Sequence, residues 1–162
     1  MRLNLNGRLM LLAGFVLAAV VVGCSGDSGK QELNVAVSLG EDTINLLEAQ
    51  TSDRFPPGCD KAKTPSCTIA SDQAKYVILW FSTSSTTGFG VAVEEMGRVA
   101  VFADKSGDAW LMDSAGTRTH ISANGMEQGR FFAIFEVDVT SKGFKLFWPG
   151  ETGEAQEIDL KF

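Results

Sequence analysis

Hydrophobic and polar residues alternate along much of the chain from Glu32 onward, which is the pattern of half-buried β-strands. The alternation is clearest over residues 33–37 and 131–139. Residues 76–81 are instead apolar at every position, which is typical of a central strand covered on both faces. Further short strands are predicted over residues 43–49, 99–103, 109–112, 117–121, 144–148 and 157–160.

Short turns rich in Gly, Asp and Ser separate these strands. The turn over residues 113–116 is typical, because Asp bonds its own backbone and Gly accepts a positive φ. The only helix predicted is a single turn around residues 93–96. About eight or nine short strands with frequent turns predict an all-β, antiparallel sandwich or barrel.

Residues 51–70 interrupt the alternation and hold three of the four prolines, so we interpret them as a loop. Cys59 and Cys67 lie within it. Their spacing is not that of a C-x-x-C redox pair, and no His or other Cys lies nearby to complete a zinc site. We therefore predict a structural disulfide between them, as is common beyond the cytoplasm.

The amino terminus has the order of an export signal. Arg2 and Arg8 are followed by an apolar run of 14 residues, Leu9 to Val22, which is short of the roughly 20 needed for a membrane-spanning helix. Gly23-Cys24 then resembles the cleavage site of bacterial lipoprotein precursors, in which the Cys thiol is acylated and becomes the new terminus. The resemblance implies a cleaved signal over residues 1–23 and lipidation of Cys24.

The remainder divides into a predicted flexible tether, residues 24–31, and one domain, residues 32–162. Cleavage leaves 12 basic and 20 acidic residues, which is a formal charge of −8 in place of −6. Such an acidic domain repels nucleic acid and anionic lipid, so neither is an expected partner by charge. Acyl chains on Cys24 are then expected to hold it at the bilayer. Ser25 follows the Cys, which implies the outer membrane facing the periplasm in a two-membrane bacterium, and otherwise the outer face of the plasma membrane.

Four segments carry a resemblance to a known class: residues 75–79, the hairpin 111–117, the alternating strand 132–137 and the closing strand 144–146. Their order resembles the small immunoglobulin-like exported lipoproteins, a superfamily that includes the secreted immunoprotective antigen of mycobacteria. The resemblance implies an immunoglobulin-like β-sandwich over residues 32–162. It also implies a role in supporting protein partners or the cell envelope, and it supplies no functional residues.

The chain offers little catalytic chemistry. His120 is the only histidine, and no G-x-S-x-G, P-loop, G-x-G-x-x-G or H-E-x-x-H motif is present. Asp104, Asp108 and Asp113 do not have the spacing of a calcium loop. We therefore expect no enzymatic activity, no cofactor and no metal.

Aromatic residues are the remaining candidates for binding. We expect Phe81, Phe131 and Phe135 to lie in the core, because two packed sheets need bulky inward residues. Trp110 and Trp148, near turns, and Phe55, in the disulfide loop, are the predicted exposed contact surface.

Three functions follow. The first is a non-enzymatic module of the cell envelope that binds a protein or peptide, by edge-strand pairing or through the aromatic residues. The alternative is a carbohydrate-binding module, suggested by the tryptophans. A hydrolase is disfavoured, because no nucleophile and base are recognisable together.

Overall fold

The structure, a computed structural model, describes residues 29–40, 42–82, 102–150 and 153–162. The signal segment 1–23, Cys24 and the helical turn predicted at 93–96 lie outside these residues. Within the described ranges the chain forms eleven strands. They are β1 (Lys30–Leu39), β2 (Asp42–Ser52), β3 (Arg54–Phe55), β4 (Thr68–Ile69), β5 (Ala74–Phe81), β6 (Trp110–Met112), β7 (Arg118–His120), β8 (Ala123–Glu127), β9 (Arg130–Asp138), β10 (Lys145–Trp148) and β11 (Gln156–Asp159).

Two antiparallel sheets contain nine of these strands. The first sheet has the order β1-β2-β5-β9-β8, and the second has the order β11-β10-β6-β7. The remaining two strands, β3 and β4, pair with each other in the loop that precedes β5. The predicted all-β antiparallel sandwich is therefore confirmed.

The strand order resembles that of an immunoglobulin domain with two strands, β5 and β7, added. Immunoglobulin domains have one sheet in the order A-B-E-D and another in the order G-F-C. Strands β1, β2, β9 and β8 occupy the first set of positions, and β11, β10 and β6 occupy the second. Strand β5 lies between the B and E positions. Because β5 is antiparallel to both neighbours, β9 runs parallel to β2, whereas B and E are antiparallel.

The main core fills the space between the sheets, where alternate residues of each strand point inward. Phe81, Phe131 and Phe135 are buried there, as predicted. The core is dominated by aromatic contacts: Phe102 stacks on Phe131 with ring centroids 4.7 Å apart, and Phe81 contacts Trp148 at the same separation.

Strand β5 is the middle strand of the first sheet and is buried on both faces, which confirms the prediction for residues 76–81. Its inward residues join the main core. Its outward residues Ile78 and Trp80 form a second cluster with Phe55 and Ile134. The loop tied by the Cys59–Cys67 disulfide supplies Phe55 and so covers this outer face.

Two local predictions differ from the structure. Residues 102–106 form a short helix in place of the carboxyl end of the strand predicted over 99–103. Phe102 and Ser106, four residues apart, are buried while Asp104 and Lys105 are exposed, which is the periodicity of a helix. Strand β1 begins at Lys30, so the sheet starts two residues before the predicted domain boundary.

No helix among the described residues is long and apolar enough to cross a membrane.

Candidate binding face

Two of the three aromatic residues predicted to be exposed are buried. Trp148 is inaccessible to solvent in the main core, and its Nε1 donates a hydrogen bond to the Ser38 carbonyl at 2.6 Å. Phe55 is 9% exposed, with its ring 4.5 Å from Phe132 and 5.8 Å from Trp80. Their assignment to a contact surface was wrong, because one faces inward on β10 and the other folds back onto the first sheet.

Trp110 is the predicted residue that lies on an outer face. It is half-buried, and its strand neighbour Leu111 is buried beneath it. Strand register places eight outward residues in two rows across the second sheet. We call this surface the aromatic face. Its first row is His120, Trp110, Phe147 and Glu157, and its second row is Arg118, Met112, Lys145 and Asp159.

A three-layer stack forms the centre of the aromatic face. The rings of Trp110 and Phe147 are nearly parallel, at 7°, with centroids 3.7 Å apart. The Arg118 guanidinium carbon lies 4.3 Å from the centroid of the Trp110 ring. Because β10 and β7 flank β6 on opposite sides, Phe147 and Arg118 cover opposite faces of the indole. Each of the three side chains is therefore held by contact with another side chain of the stack.

Charges lie at both sides of this stack. Lys145 Nζ is 3.0 Å from a Glu157 carboxylate oxygen and 4.0 Å from one of Asp159. The hydrogen bond and charge of Glu157 raise the pKa of Lys145, with a smaller contribution from Asp159. The Asp159 side chain is nevertheless 72% exposed, so its carboxylate remains accessible to a partner.

An open groove of about 540 Å³ continues the face at one end of the second sheet. It shares Met112, Lys145 and Asp159 with the aromatic face and is further lined by Phe144 and Leu160. A partner that covers the stack would therefore also reach a concave, partly apolar surface.

The Asp113 turn forms a rigid wall of this groove. One Asp113 carboxylate oxygen accepts hydrogen bonds from the Ala115 and Thr117 amides at 2.9 Å, and the other accepts one from the Ser141 hydroxyl at 2.8 Å. The Ser141 bond, followed by the Thr117 amide, lowers the pKa of Asp113. This carboxylate is engaged in holding two turns together.

Within the described ranges, no group of three His, Cys, Asp or Glu side chains is arranged to hold a metal ion, and this includes Asp104, Asp108 and Asp113. His120 is exposed at the edge strand β7, opposite Trp110. Its position is that of a residue at the rim of a surface.

The aromatic face suits a protein partner better than a sugar. A sugar ring stacks on a free aromatic face, and both faces of the Trp110 indole are already occupied by Phe147 and Arg118. Trp, Phe, Met and Arg are the residue types enriched at protein interfaces, with Trp and Arg frequent among the energetically dominant residues. The geometry therefore favours contact through ring edges and side-chain tips.

Sequence reasoning missed Phe147 and Met112. A signal for Phe147 was present: it shares a strand face with Lys145, whereas Trp148 shares the other face with Leu146. A charged residue marks a solvent-facing side, so the alternation in residues 145–148 places Phe147 outward. The proximity of Trp148 to Pro149 and Gly150 suggested exposure and outweighed this signal.

The edge of β1 is blocked for strand addition over part of its length. The Gln156 side chain accepts a hydrogen bond from the Ser38 amide at 3.0 Å and donates one to the Ala36 carbonyl at 3.3 Å. With the Trp148 bond to Ser38, these contacts satisfy backbone groups that a pairing peptide would need. Edge-strand pairing at residues 36–38 is thus disfavoured.

No family model matches the chain, and neither a curated protein nor a solved structure matches it significantly. The resemblance to the immunoglobulin-like exported lipoproteins stays a prediction from the residues that carry it.

Proposed function

We propose that this chain is an exported lipoprotein, anchored in the bilayer through acylated Cys24, whose sandwich domain binds a protein through the aromatic face. The domain acts as a non-enzymatic module of the cell envelope. The observation that carries the binding function is the stack of Phe147, Trp110 and Arg118 on the outer side of the second sheet.

The stack supports binding because its rigidity lowers the entropy lost on association. Trp110 and Phe147 are held against each other, and Arg118 is held on the indole, before any partner arrives. Ordering a free, rotamer-rich side chain at an interface costs about 0.5–1.5 kcal/mol, and here that cost is largely met by folding. The outer face of the first sheet has no comparable surface at its centre, since the disulfide loop covers it.

The anchor is supported by two features of the chain. Residues 2–24 have the order of a lipoprotein signal, ending in a small residue and Cys24. Cys59 and Cys67 form a disulfide, which is typical of oxidising compartments outside the cytoplasm. The proposed location is the cell envelope, with the domain facing the periplasm or the outer side of the plasma membrane.

Replacing Cys24 with Ser tests the anchor. The Cys24→Ser chain should leave the membrane fraction or accumulate unprocessed, while Ser25→Ala, the matched neighbour, should fractionate like the wild type. A Cys24→Ser chain of mature size in the membrane fraction would refute acylation at this residue.

Site-specific photo-crosslinking tests the binding face. A photoreactive residue at Met112, on the aromatic face, should give a discrete protein adduct when the full-length chain is irradiated in its own membranes. The matched position is Glu136, which is exposed on the outer face of the first sheet. Equal adducts from both positions, or none from Met112, would contradict the proposal.

A further inference from the structure

We propose that the protein bound by the aromatic face is a second copy of this chain; this inference rests on the proposed function and adds the identity of the partner. The argument begins with the arrangement of charge. The basic residue Arg118 and the imidazole of His120 lie on the β7 side of the face, whereas Glu157 and Asp159 lie on the β11 side. Trp110, Phe147 and Met112 lie between them, together with Lys145, which is paired with Glu157.

A surface with opposite charges on its two sides is complementary to itself under one rotation. Two copies that pack with their aromatic faces together are related by a two-fold axis that lies in the plane of their interface. If the axis runs parallel to the strands, the β7 side of one copy covers the β11 side of the other. This rotation does not change a residue's position along the strand direction, so each row of one aromatic face lies against the same row of the other.

The strand register then determines which residues meet. Arg118 and Asp159 lie at opposite ends of the second row, so Arg118 faces Asp159 of the second copy. Trp110 and Phe147 lie in the middle of the first row, so Trp110 faces Phe147 of the second copy. In the second row, Met112 also meets the aliphatic stem of Lys145 of the second copy.

The other two-fold arrangement, with its axis across the strands, brings like charges together. Each edge strand then faces the same strand of the second copy. Asp159 faces Glu157 of the second copy, and Arg118 faces its His120 and has no carboxylate opposite it. Like charges placed opposite each other at an interface cost several kcal/mol. The charge pattern therefore selects the axis parallel to the strands.

Both charged residues are available for this contact. Among the described residues Arg118 has no carboxylate partner within ion-pair distance, and its guanidinium is already fixed on Trp110. Asp159 is 4.0 Å from Lys145 and 72% exposed. Each therefore keeps unused hydrogen-bonding capacity for the other copy.

The expected dimer is weak. Four strands spaced about 4.8 Å apart and three to four residues long cover about 250 Å², well under the roughly 800 Å² per partner of a stable complex. Confinement of both copies to one bilayer by their anchors raises their effective concentration. Association is thus expected in the membrane rather than in dilute solution.

Exchange of the charged pair tests the proposal. Chains carrying the photoreactive residue at Met112 are expressed at full length in their membranes, and adducts of twice the chain mass are quantified. Arg118→Asp alone and Asp159→Arg alone should each reduce this adduct at least about tenfold, because the two-fold axis duplicates each repulsive contact. The control exchanges are Lys61→Asp and Asp72→Arg, exposed positions around the disulfide loop, which should leave the yield unchanged.

Mixing the two variants gives the decisive measurement. When Arg118→Asp and Asp159→Arg chains of different length are expressed together, the mixed adduct should rise well above that of either variant alone, since both contacts are again between opposite charges. The double variant in one chain should recover as well. A cooperative urea unfolding transition in every variant shows that the domain is folded.

Three outcomes would overturn the inference. A mixed pair no better than the single variants would exclude the contact between Arg118 and Asp159. Adducts at Met112 with other proteins only would exclude the second copy while leaving the proposed function standing. No adduct of any kind would refute both.

Discussion

The Trp148 indole nitrogen donates a hydrogen bond to the Ser38 carbonyl at 2.6 Å, and this bond joins the two sheets of the sandwich. Trp148 belongs to β10 in the second sheet, and Ser38 belongs to the edge strand β1 of the first. The indole also packs on Phe81 and Phe102. One side chain therefore fills the core and fixes the separation of the sheets at this edge.

Trp148→Ala should be among the most destabilising substitutions in the domain. Loss of a fully buried indole typically costs about 3–5 kcal/mol through lost transfer free energy and a cavity. Trp148→Phe keeps most of the volume and removes the hydrogen bond, so it should cost less, about 1–3 kcal/mol. Urea unfolding with the disulfide intact measures both. A Trp148→Ala domain within about 1 kcal/mol of the wild type would show that the indole is not in the core.

Gln156→Ala should weaken the same edge. The substitution leaves the Ser38 amide and the Ala36 carbonyl without their side-chain partner, which should lower the free energy of unfolding by about 1–2 kcal/mol. Hydrogen exchange should show the Ser38 amide exchanging faster than in the wild type. Glu157→Ala is the control: it removes a surface ion pair and should cost under about 1 kcal/mol. Unchanged exchange at Ser38 would contradict the assigned role of Gln156.

The Cys59–Cys67 disulfide should stabilise the domain by about 2–3 kcal/mol, because it closes a short loop in the unfolded chain. Replacing both cysteines with Ser should remove this stabilisation and loosen the cover over Trp80, as measured by urea unfolding. Thiol counting on the unfolded, non-reduced mature protein should find no free thiol. Detection of one alkylated cysteine in this loop would show that the pair is not formed.

Lowering the pH should weaken the hydrogen bonds through which Asp113 holds the wall of the groove. Its folded pKa is lowered from the ordinary value of 3.8, chiefly by the Ser141 hydroxyl. A lowered carboxyl pKa contributes stability that is present above the unfolded pKa and is lost as the pH falls through the folded pKa. Asp113→Asn should therefore destabilise the domain at neutral pH, and the difference from the wild type should shrink as the pH falls below the ordinary carboxyl pKa of 3.8. A difference that stays constant with pH would contradict this role.

The central part of the fold could be predicted from local sequence. Residues 76–81 are apolar on both faces of the strand. Only a strand in the middle of a sheet that is covered on both sides accommodates that pattern. The alternation of β1 and of the carboxyl-terminal half of β9 likewise follows from one buried and one exposed face.

Strand β8 could not be predicted from its own residues. It contains Asn124-Gly125, a pair that usually indicates a turn. Gly125 is opposite Phe132 on β9, and a Cβ at this position would lie 3.2 Å from the Phe132 ring. A side chain at this position would crowd the Phe132 ring of the neighbouring strand, and this information is not local.

The candidate binding face was only partly predictable for the same reason. The outward position of Trp110 follows from its own strand, but the buried position of Phe55 depends on the disulfide loop folding back over Trp80. Phe147 and Arg118 become part of one site only once β10 and β7 are placed on either side of β6.

Trp110→Ala tests the central claim, that the aromatic face binds protein, most directly. Two quantities are measured on the same full-length chain: the yield of the Met112 photo-adduct in membranes, and the free energy of unfolding. Truncating a residue that dominates an interface typically costs at least about 2 kcal/mol of binding, so the adduct should fall by about 30-fold. Because Trp110 is half-buried outside the core, the domain should lose less stability than with Trp148→Ala. An adduct yield equal to that of the wild type, with the domain folded, would contradict the account.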